Sequence, residues 1–464
     1  MPVKDLRTFL QKVDDEKELI RVKKEVDSKT QMGALFTDAG KMGKAVLFEN
    51  VKGHPDWRVV GELLTTRKRQ AIALETTQER LLLEYVDRLS KPLTKCKIVS
   101  SGPVKEKVFM GDEVDLNKIP VLIHCEYDAG PYIGSGICVT KDPETGIQNE
   151  SIMRLQVKGK NRTGIMIGPQ RHSWLHLEKY EKMNKPMPIT MVIGHYPLLD
   201  LACTTVYPYG VDHFDAAGTI LGEPLAVTKC ETSDLNVPAH AEIVLEGEIQ
   251  PKFREYEGPF AEFSGQYGDG NYPVIQVKAI TMREDAIYRH IQTYPPPCEH
   301  FIAALPIEAL IYQRVKDVDA YVDLKDVHVP SWGGMWTAIV KFTPHFDGQA
   351  KNILLAMMST ASLYPKIVIV VDEDVDIHDP ADVQWAISTR VNPATDIITV
   401  TGTRNHPMDL SIPLVTPPDA DMQRVGGKIG IDATKPPTWR ADEREKFKRI
   451  RPMGWNKFFL KDFL

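Results

Sequence analysis

A chain of 464 residues with 42% hydrophobic and 26% charged content is an ordinary soluble globular sequence, long enough for two or three domains with cores of their own. Its formal net charge of −6 leaves no global basic footprint, which removes nucleic acid from the candidate partners. Lys4, Asp5 and Arg7 stand where a signal peptide needs an apolar core, and no apolar run approaches the roughly 18 residues of a spanning helix, so no membrane role is expected. Residues 5–13 predict a short amphipathic helix and 19–22 a strand. Residues 45–48 and 58–60 add strands around the Gly53-His54-Pro55 turn, and the apolar spacing over 70–89 is helical. Residues 1–116 therefore read as a mixed α/β lobe. From 117 to 312 the texture changes to short strands at 136–140, 151–157, 164–167, 190–193, 241–245, 274–282 and 287–292, broken by Gly, Pro, Asn and Asp, which predicts a barrel or sandwich. Residues 313–464 return to alternating helices and strands, with a buried strand at 367–371 and helices at 380–391 and 441–450. The apolar residues 455–460 then form a tail of the kind that clasps another molecule, so the class is α+β with an α/β oligomerisation domain at the C-terminal end.

Six scattered cysteines without a CxxC pair suggest neither disulfides nor a thiolate zinc site, in keeping with a reducing cytoplasm. Cys298 beside His300 reads as a loop cysteine, since nothing marks an activated thiolate. The acidic run 372–376 after a buried strand resembles a magnesium cluster but is better read as solvated or structural. Gly134-Ser135-Gly136 precedes a strand instead of a helix and is no dinucleotide fingerprint.

The most informative stretch is Glu257-Gly258-Pro259-Phe260-Ala261-Glu262, two carboxylates five residues apart across a Gly-Pro bend. Taken alone it would be a surface turn with two solvated glutamates. As a couple, one carboxyl can hold a proton while the other stays charged against an arginine. Upstream, Asn149 and Glu150 form a polar entry to the half-buried strand 151–157, which carries Arg154, and Gln170 and His172 follow another apolar strand.

Together Asn149, Arg154, Gln170, His172, Glu257 and Glu262 resemble the UbiD family of reversible aromatic-acid decarboxylases, which use prenylated flavin mononucleotide. Further blocks at 209–212, 233–239, 241–247, 370–376 and 426–434 follow in the family's order. The resemblance implies a split-barrel flavin-binding domain over 117–312 and decarboxylation with Glu262 as the acid-base residue, supported by Arg154 and Glu257. It implies cofactor contacts from Asn149, Ser151, Ile152, Met153, Arg154, Gln170, His172, Thr204 and the phosphate-reaching Lys428. It also implies a divalent ion such as manganese on Asn149, His172 and a glutamate, with a monovalent cation such as potassium nearby. The glutamate position is His213 here. His213 ligates through a ring nitrogen and favours softer ions, or Asp212 or Asp215 takes its place, or the phosphate is held without a tight metal. Phe263, His300 and Phe301 border the substrate, a small aromatic acid that exchanges with carbon dioxide. The expected partners are a flavin prenyltransferase that supplies the cofactor and further copies of the chain in a homo-oligomer. Two other readings stay open, a flavin oxidoreductase and a flavin-binding subunit of a larger carboxylase.

Overall fold

The computed structural model describes residues 3–169, 171–360, 362, 364–415, 424–436 and 439–463. The chain divides into two compact units. The first comprises Met1–Ala309, Ser331–Met335 and Asn405–Val425; the second comprises Leu310–Pro330, Trp336–Arg404 and Gly426–Leu464.

In the first unit the N-terminal segment builds a four-stranded sheet in the order Leu19–Val22, Ala45–Phe48, Arg58–Gly61, Ile287–Arg289. Its opening helix, Leu6–Asp15, begins at a capping box in which Asp5 accepts from Thr8 N and Thr8 accepts from Asp5 N, and it buries Leu6, Phe9, Leu10 and Val13 at helical spacing. The helix expected over 70–89 is instead two, Arg67–Leu74 and Leu81–Leu89. The first ends at Glu75, which takes a left-handed φ of 57°, and two β-branched threonines follow in the gap. No Gly or Pro stands between the two helices to mark the break in the sequence.

The largest sheet of the first unit has seven strands in the spatial order Ile243–Ala261, Met187–Ile193, Tyr132–Lys141, Gln148–Val157, Arg162–Ile165, Tyr267–Met282, Lys107–Met110. The sheet returns on itself, because Ile243–Ala261 also pairs antiparallel with Tyr267–Met282. Its inward alternation supplies Ile133, Leu155, Ile189, Met191, Leu245 and Ile275 to one apolar core. Several strands, among them Tyr132–Lys141, Ile243–Ala261 and Tyr267–Met282, exceed their sequence-predicted lengths. Tyr132–Lys141 and Tyr267–Met282 run through glycines that periodicity treats as breaks but that the ladder tolerates.

The second unit is a five-stranded sheet in the order Asp323–His328, Thr337–Thr343, Ile367–Asp372, Arg424–Ala433, Ile397–Asn405, with Ile367–Asp372 parallel to both neighbours and almost wholly buried. Helix Pro380–Arg390 is capped by Asp379 and starts on proline. The acidic run after the central strand is structural. Asp372 is bonded to Arg444 at 2.6 Å, and Asp374 to Arg390 at 2.8 Å. The terminal helix is shorter than expected, Ala441–Lys446.

Among the described residues no helix is long and apolar enough to cross a membrane.

Candidate active site

A β-bulge decides whether the two glutamates can act together. Residues five apart on an unbroken strand point to opposite faces. Here Glu257 pairs with Gly270 and Phe260 with Gly268, so three steps on one strand oppose two on the other. The extra residue reverses the alternation and re-aims the chain between the carboxylates. Gly258 is needed at the bulge. Its φ is +109°, and a Cβ there would lie 2.6 Å from Cβ of Asp269.

Both carboxylates converge on Arg154 from the facing strand Gln148–Val157. Arg154 Nη2 donates to Glu257 Oε2 at 2.8 Å, while Nη1 is ion-paired with Glu262 Oε1. Relative exposures of 0% for Glu257, 7% for Glu262 and 9% for Arg154 exclude the solvated surface turn. The guanidinium carbon also lies 5.2 Å from the Phe260 ring centroid and 5.8 Å from that of Tyr272, so aromatic side chains flank the fork. A Cβ on Gly268 would stand 3.6 Å from both Arg154 and Glu262, which makes that glycine part of the cradle.

The turn bearing Glu262 is pinned from several sides. Asp128 Oδ1 accepts Ala261 N at 2.8 Å, Thr293 Oγ1 donates to Ala261 O at 3.0 Å, and Glu262 N donates to Gln266 O at 2.8 Å. Asp128 Oδ2 takes His124 N and Cys125 N, so this one carboxylate ties that loop to the turn bearing Glu262.

Five residues before Arg154 on the same strand, about 17 Å away at the usual strand rise, lies a second polar cluster. Asn149 Oδ1 and His172 Nδ1 are 3.2 Å apart, and Asn149 Nδ2 donates to Ser173 Oγ at 2.9 Å. The His213 ring centre is 6.3 Å from that of His172. His172 begins helix His172–Lys182, and His213 begins helix His213–Leu221. Burial pushes the His213 imidazole down to about 4 and also lowers His172, so both rings stay neutral with a lone pair to offer. Neither ring nitrogen of His213 has a hydrogen-bond partner although the side chain is buried. The two acids weighed against it are committed elsewhere. Asp212 caps its helix through Phe214 N, and Asp215 accepts from Lys95 Nζ at 2.7 Å and Cys96 N at 2.9 Å. An oxygen from Asn149 and nitrogens from two imidazoles thus suit a borderline divalent ion. Among the described residues no group of three or more His, Cys, Asp or Glu side chains forms a metal cluster, since one donor here is an amide. Beside this cluster a small depression is lined by Asp142, Gln148, Asn149, His172, His176 and Tyr209.

Between the two poles Ser151, Ile152 and Met153 are half-buried. Phe263 stacks on His300 with centroids 4.9 Å apart and planes 8° from parallel, and Phe301 meets His300 edge-on at 6.4 Å. Burial pushes the His300 imidazole down to about 4, which keeps it neutral. Thr204 ends helix Leu198–Thr204, its hydroxyl donating back to Asp200 O at 2.8 Å. Lys428, in the second unit, is buried and donates from Nζ to Met358 O at 2.8 Å. Gln170 lies outside the described residues.

Sequence reasoning missed Asp128, Tyr132, Phe260, Tyr272 and the segment that brings His406 edge-on to Phe263 at 6.1 Å. The aromatic residues lie outside the predicted strands and carry no signal of their own. Only Asp128, two residues before Gly130-Pro131, carried a turn signal that could have marked it.

The family model described as 3-octaprenyl-4-hydroxybenzoate carboxy-lyase matches in three parts: its N-terminal domain at residues 10–89, its Rift-related domain at 97–296 and its C-terminal domain at 300–433. The UbiD-class enzyme HmfF from Pelotomaculum thermopropionicum, solved in complex with FMN, is 36% identical with a TM-score of 0.89, covering 99% of this chain and 100% of that one. An evolved dimeric form of HmfF, solved with prFMN, is 34% identical with a TM-score of 0.87 over 100% of both chains. The anhydromevalonate phosphate decarboxylase of Methanothermobacter thermautotrophicus is 33% identical over 448 residues, 96% of this chain and 99% of the relative. The phenolic acid decarboxylase of Bacillus subtilis is 31% identical over 456 residues, 94% of this chain and 93% of the relative.

Proposed function

The chain belongs to the UbiD family of carboxy-lyases, and from that premise we propose that it catalyses the reversible, non-oxidative decarboxylation of an aromatic or heteroaromatic acid with prenylated FMN, which residues of the strand Gln148–Val157 would help to hold. The observation that carries this reading is the buried Arg154 shared by Glu257 and Glu262. One guanidinium fork can hold one carboxylate charged while the other cycles between acid and base.

When bound, prenylated FMN supplies the electron sink that side chains cannot offer for the charge left on the ring carbon. The protein's own part is orientation and proton transfer. Decarboxylation breaks the bond between ring and carboxyl carbon, carbon dioxide leaves, and the proton held by Glu262 goes to the ring carbon that lost it. Arg154 then stabilises the ionised Glu262, and Glu257 balances the guanidinium charge. In the carboxylating direction Glu262 takes the proton back. Phe263, stacked on neutral His300 next to Glu262, offers a flat apolar wall to an aromatic ring. The phenolic acid decarboxylase among the relatives supports an aromatic substrate.

At the other pole Asn149, His172 and His213 would hold a divalent ion, the partner that a flavin phosphate needs. Replacing a carboxylate by the imidazole of His213 removes one negative charge from the ligand set and shifts preference from manganese toward zinc or cobalt. Six free cysteines support placement in a reducing cytoplasm, and the dimeric HmfF supports assembly as a homo-oligomer.

Protein matured by co-expression with a flavin prenyltransferase is expected to gain a visible flavin band, about one divalent ion per chain by elemental analysis, and carbon dioxide release from aromatic acids. Protein matured with FMN alone should be inert. His213→Ala should lose most of the metal, and His213→Glu should retain it with a preference moved toward manganese. Full turnover without prenylated flavin rejects the function, whereas active holoenzyme lacking stoichiometric metal rejects only the ligand set.

A further inference from the structure

The Arg154 network leaves a pair of buried oxygens to be accounted for. Glu257 Oε2 is bonded to Arg154, but Oε1 is buried and has no hydrogen-bond partner. The phenol oxygen of Tyr132 is likewise buried and without a partner. Buried polar groups are rarely left in this condition, so two of them in one cluster call for a common explanation.

The two side chains share a neighbour. The Tyr132 ring lies 4.3 Å from that of Phe260, whose face in turn carries the Arg154 guanidinium. Tyr132 is fully buried, and its backbone is fixed at both ends. Its N donates to Leu122 O at 2.9 Å, and its O is 2.9 Å from His124 Nε2. The ring therefore cannot withdraw, while the hydroxyl hydrogen is free to rotate toward an acceptor. Burial pushes the phenol pKa up, and the Glu257 charge adds to that push, as it must when a carboxylate faces a phenol. The other charged groups facing the ring are Arg154 and Asp128. Both oxygens of Asp128 are occupied by backbone N–H groups of Ala261, His124 and Cys125, so Glu257 is the acceptor left for the phenol.

We infer that Tyr132 is a positioning residue for the acid-base network: its hydroxyl donates to Glu257 Oε1, holding that carboxylate ionised and turned toward Arg154, so that the second arm of the guanidinium remains committed to Glu262. The inference rests on the proposed role of Arg154, Glu257 and Glu262. A phenol serves here better than a serine or a water because its ring is locked against Phe260, which fixes the donor at no further entropic cost.

The contact is tested first in cofactor-free protein labelled with 13Cζ-tyrosine. The Tyr132 resonance, identified by its absence in Tyr132→Phe, is expected to move when Glu257→Gln is introduced, because a charged acceptor has been exchanged for a neutral one. A resonance that does not respond overturns the contact. Catalytic consequence is read in matured enzyme. Tyr132→Phe should move the acidic limb of kcat/KM upward by about one pH unit, a tenfold loss on that limb. A merely structural role would lower the rate equally at every pH, and an unmoved limb overturns the inference. Should Tyr132→Phe not fold, 3-fluorotyrosine at position 132, a stronger donor of nearly equal size, moves the limb downward instead. A responding resonance combined with wild-type turnover by Glu262→Gln would reject the acid-base reading, and with it the positioning role, while leaving the Tyr132–Glu257 contact in place.

Discussion

Glu262→Gln is expected to bind the cofactor like the wild type and to lower turnover by about 10²- to 10⁴-fold, the range for loss of a positioned acid-base group. Glutamine keeps the length and planarity of the side chain but has no proton to deliver to the ring carbon. The turn around it should not suffer, because Asp128, Thr293 and Gln266 hold it through backbone atoms of residues 261 and 262 and not through the Glu262 side chain. The flavin band of the matured variant therefore checks assembly independently of the rate. Wild-type turnover in a variant with that band intact would move the acid-base role elsewhere.

The second large effect is at Arg154. Arg154→Lys keeps one positive charge but loses the fork, and a single ammonium cannot reach both carboxylates in fixed directions. A loss of about 10²-fold or more is expected, comparable to the penalty for misplacing a reacting group by about 1 Å. Arg154→Ala goes further and strands two buried carboxylates, which predicts a destabilisation of about 3–5 kcal/mol. Combining Arg154→Met with Glu257→Gln and Glu262→Gln removes the stranded charges and should recover most of that stability while remaining inactive. Thermal melts and turnover measured on the same preparations separate the two effects. An Arg154→Lys enzyme within a few-fold of wild type would contradict the shared-fork geometry.

What could be read from the amino acids follows from which physical signals are local. Arg154 breaks the apolar alternation of residues 151–157 with a charge, whereas Asn149, in the polar entry before that strand, is marked only by the family resemblance, and the structure buries both. The convergence of Glu257 and Glu262 was only half legible. Gly258-Pro259 announced a bend, but the one-residue slip against Gly268–Gly270 that turns both carboxylates to Arg154 depends on a partner strand some ten residues away. His213 is another case. Its position was reached by spacing, while its availability follows from tertiary contacts that occupy Asp212 and Asp215 and leave its ring nitrogens unpaired. Tyr132, Phe260 and Tyr272 could not be told from core residues, since an aromatic side chain on a strand carries the same pattern whether it packs on leucine or on a guanidinium. In the N-terminal lobe the break between Arg67–Leu74 and Leu81–Leu89 was hidden because residues 75–80 contain neither Gly nor Pro.

Reversibility offers the most direct test of the account, since decarboxylation and carboxylation pass through one transition state and must share the Arg154, Glu257 and Glu262 network. Matured enzyme is supplied with its best aromatic acid from the carbon dioxide release screen, in concentrated 13C-bicarbonate, and the carboxyl carbon of the remaining acid is followed by mass spectrometry. The account predicts steady entry of label into the carboxyl group, dependent on prenylated flavin. Sustained decarboxylation with no label entering the acid at any bicarbonate concentration, or turnover confined to aliphatic acids, would contradict it.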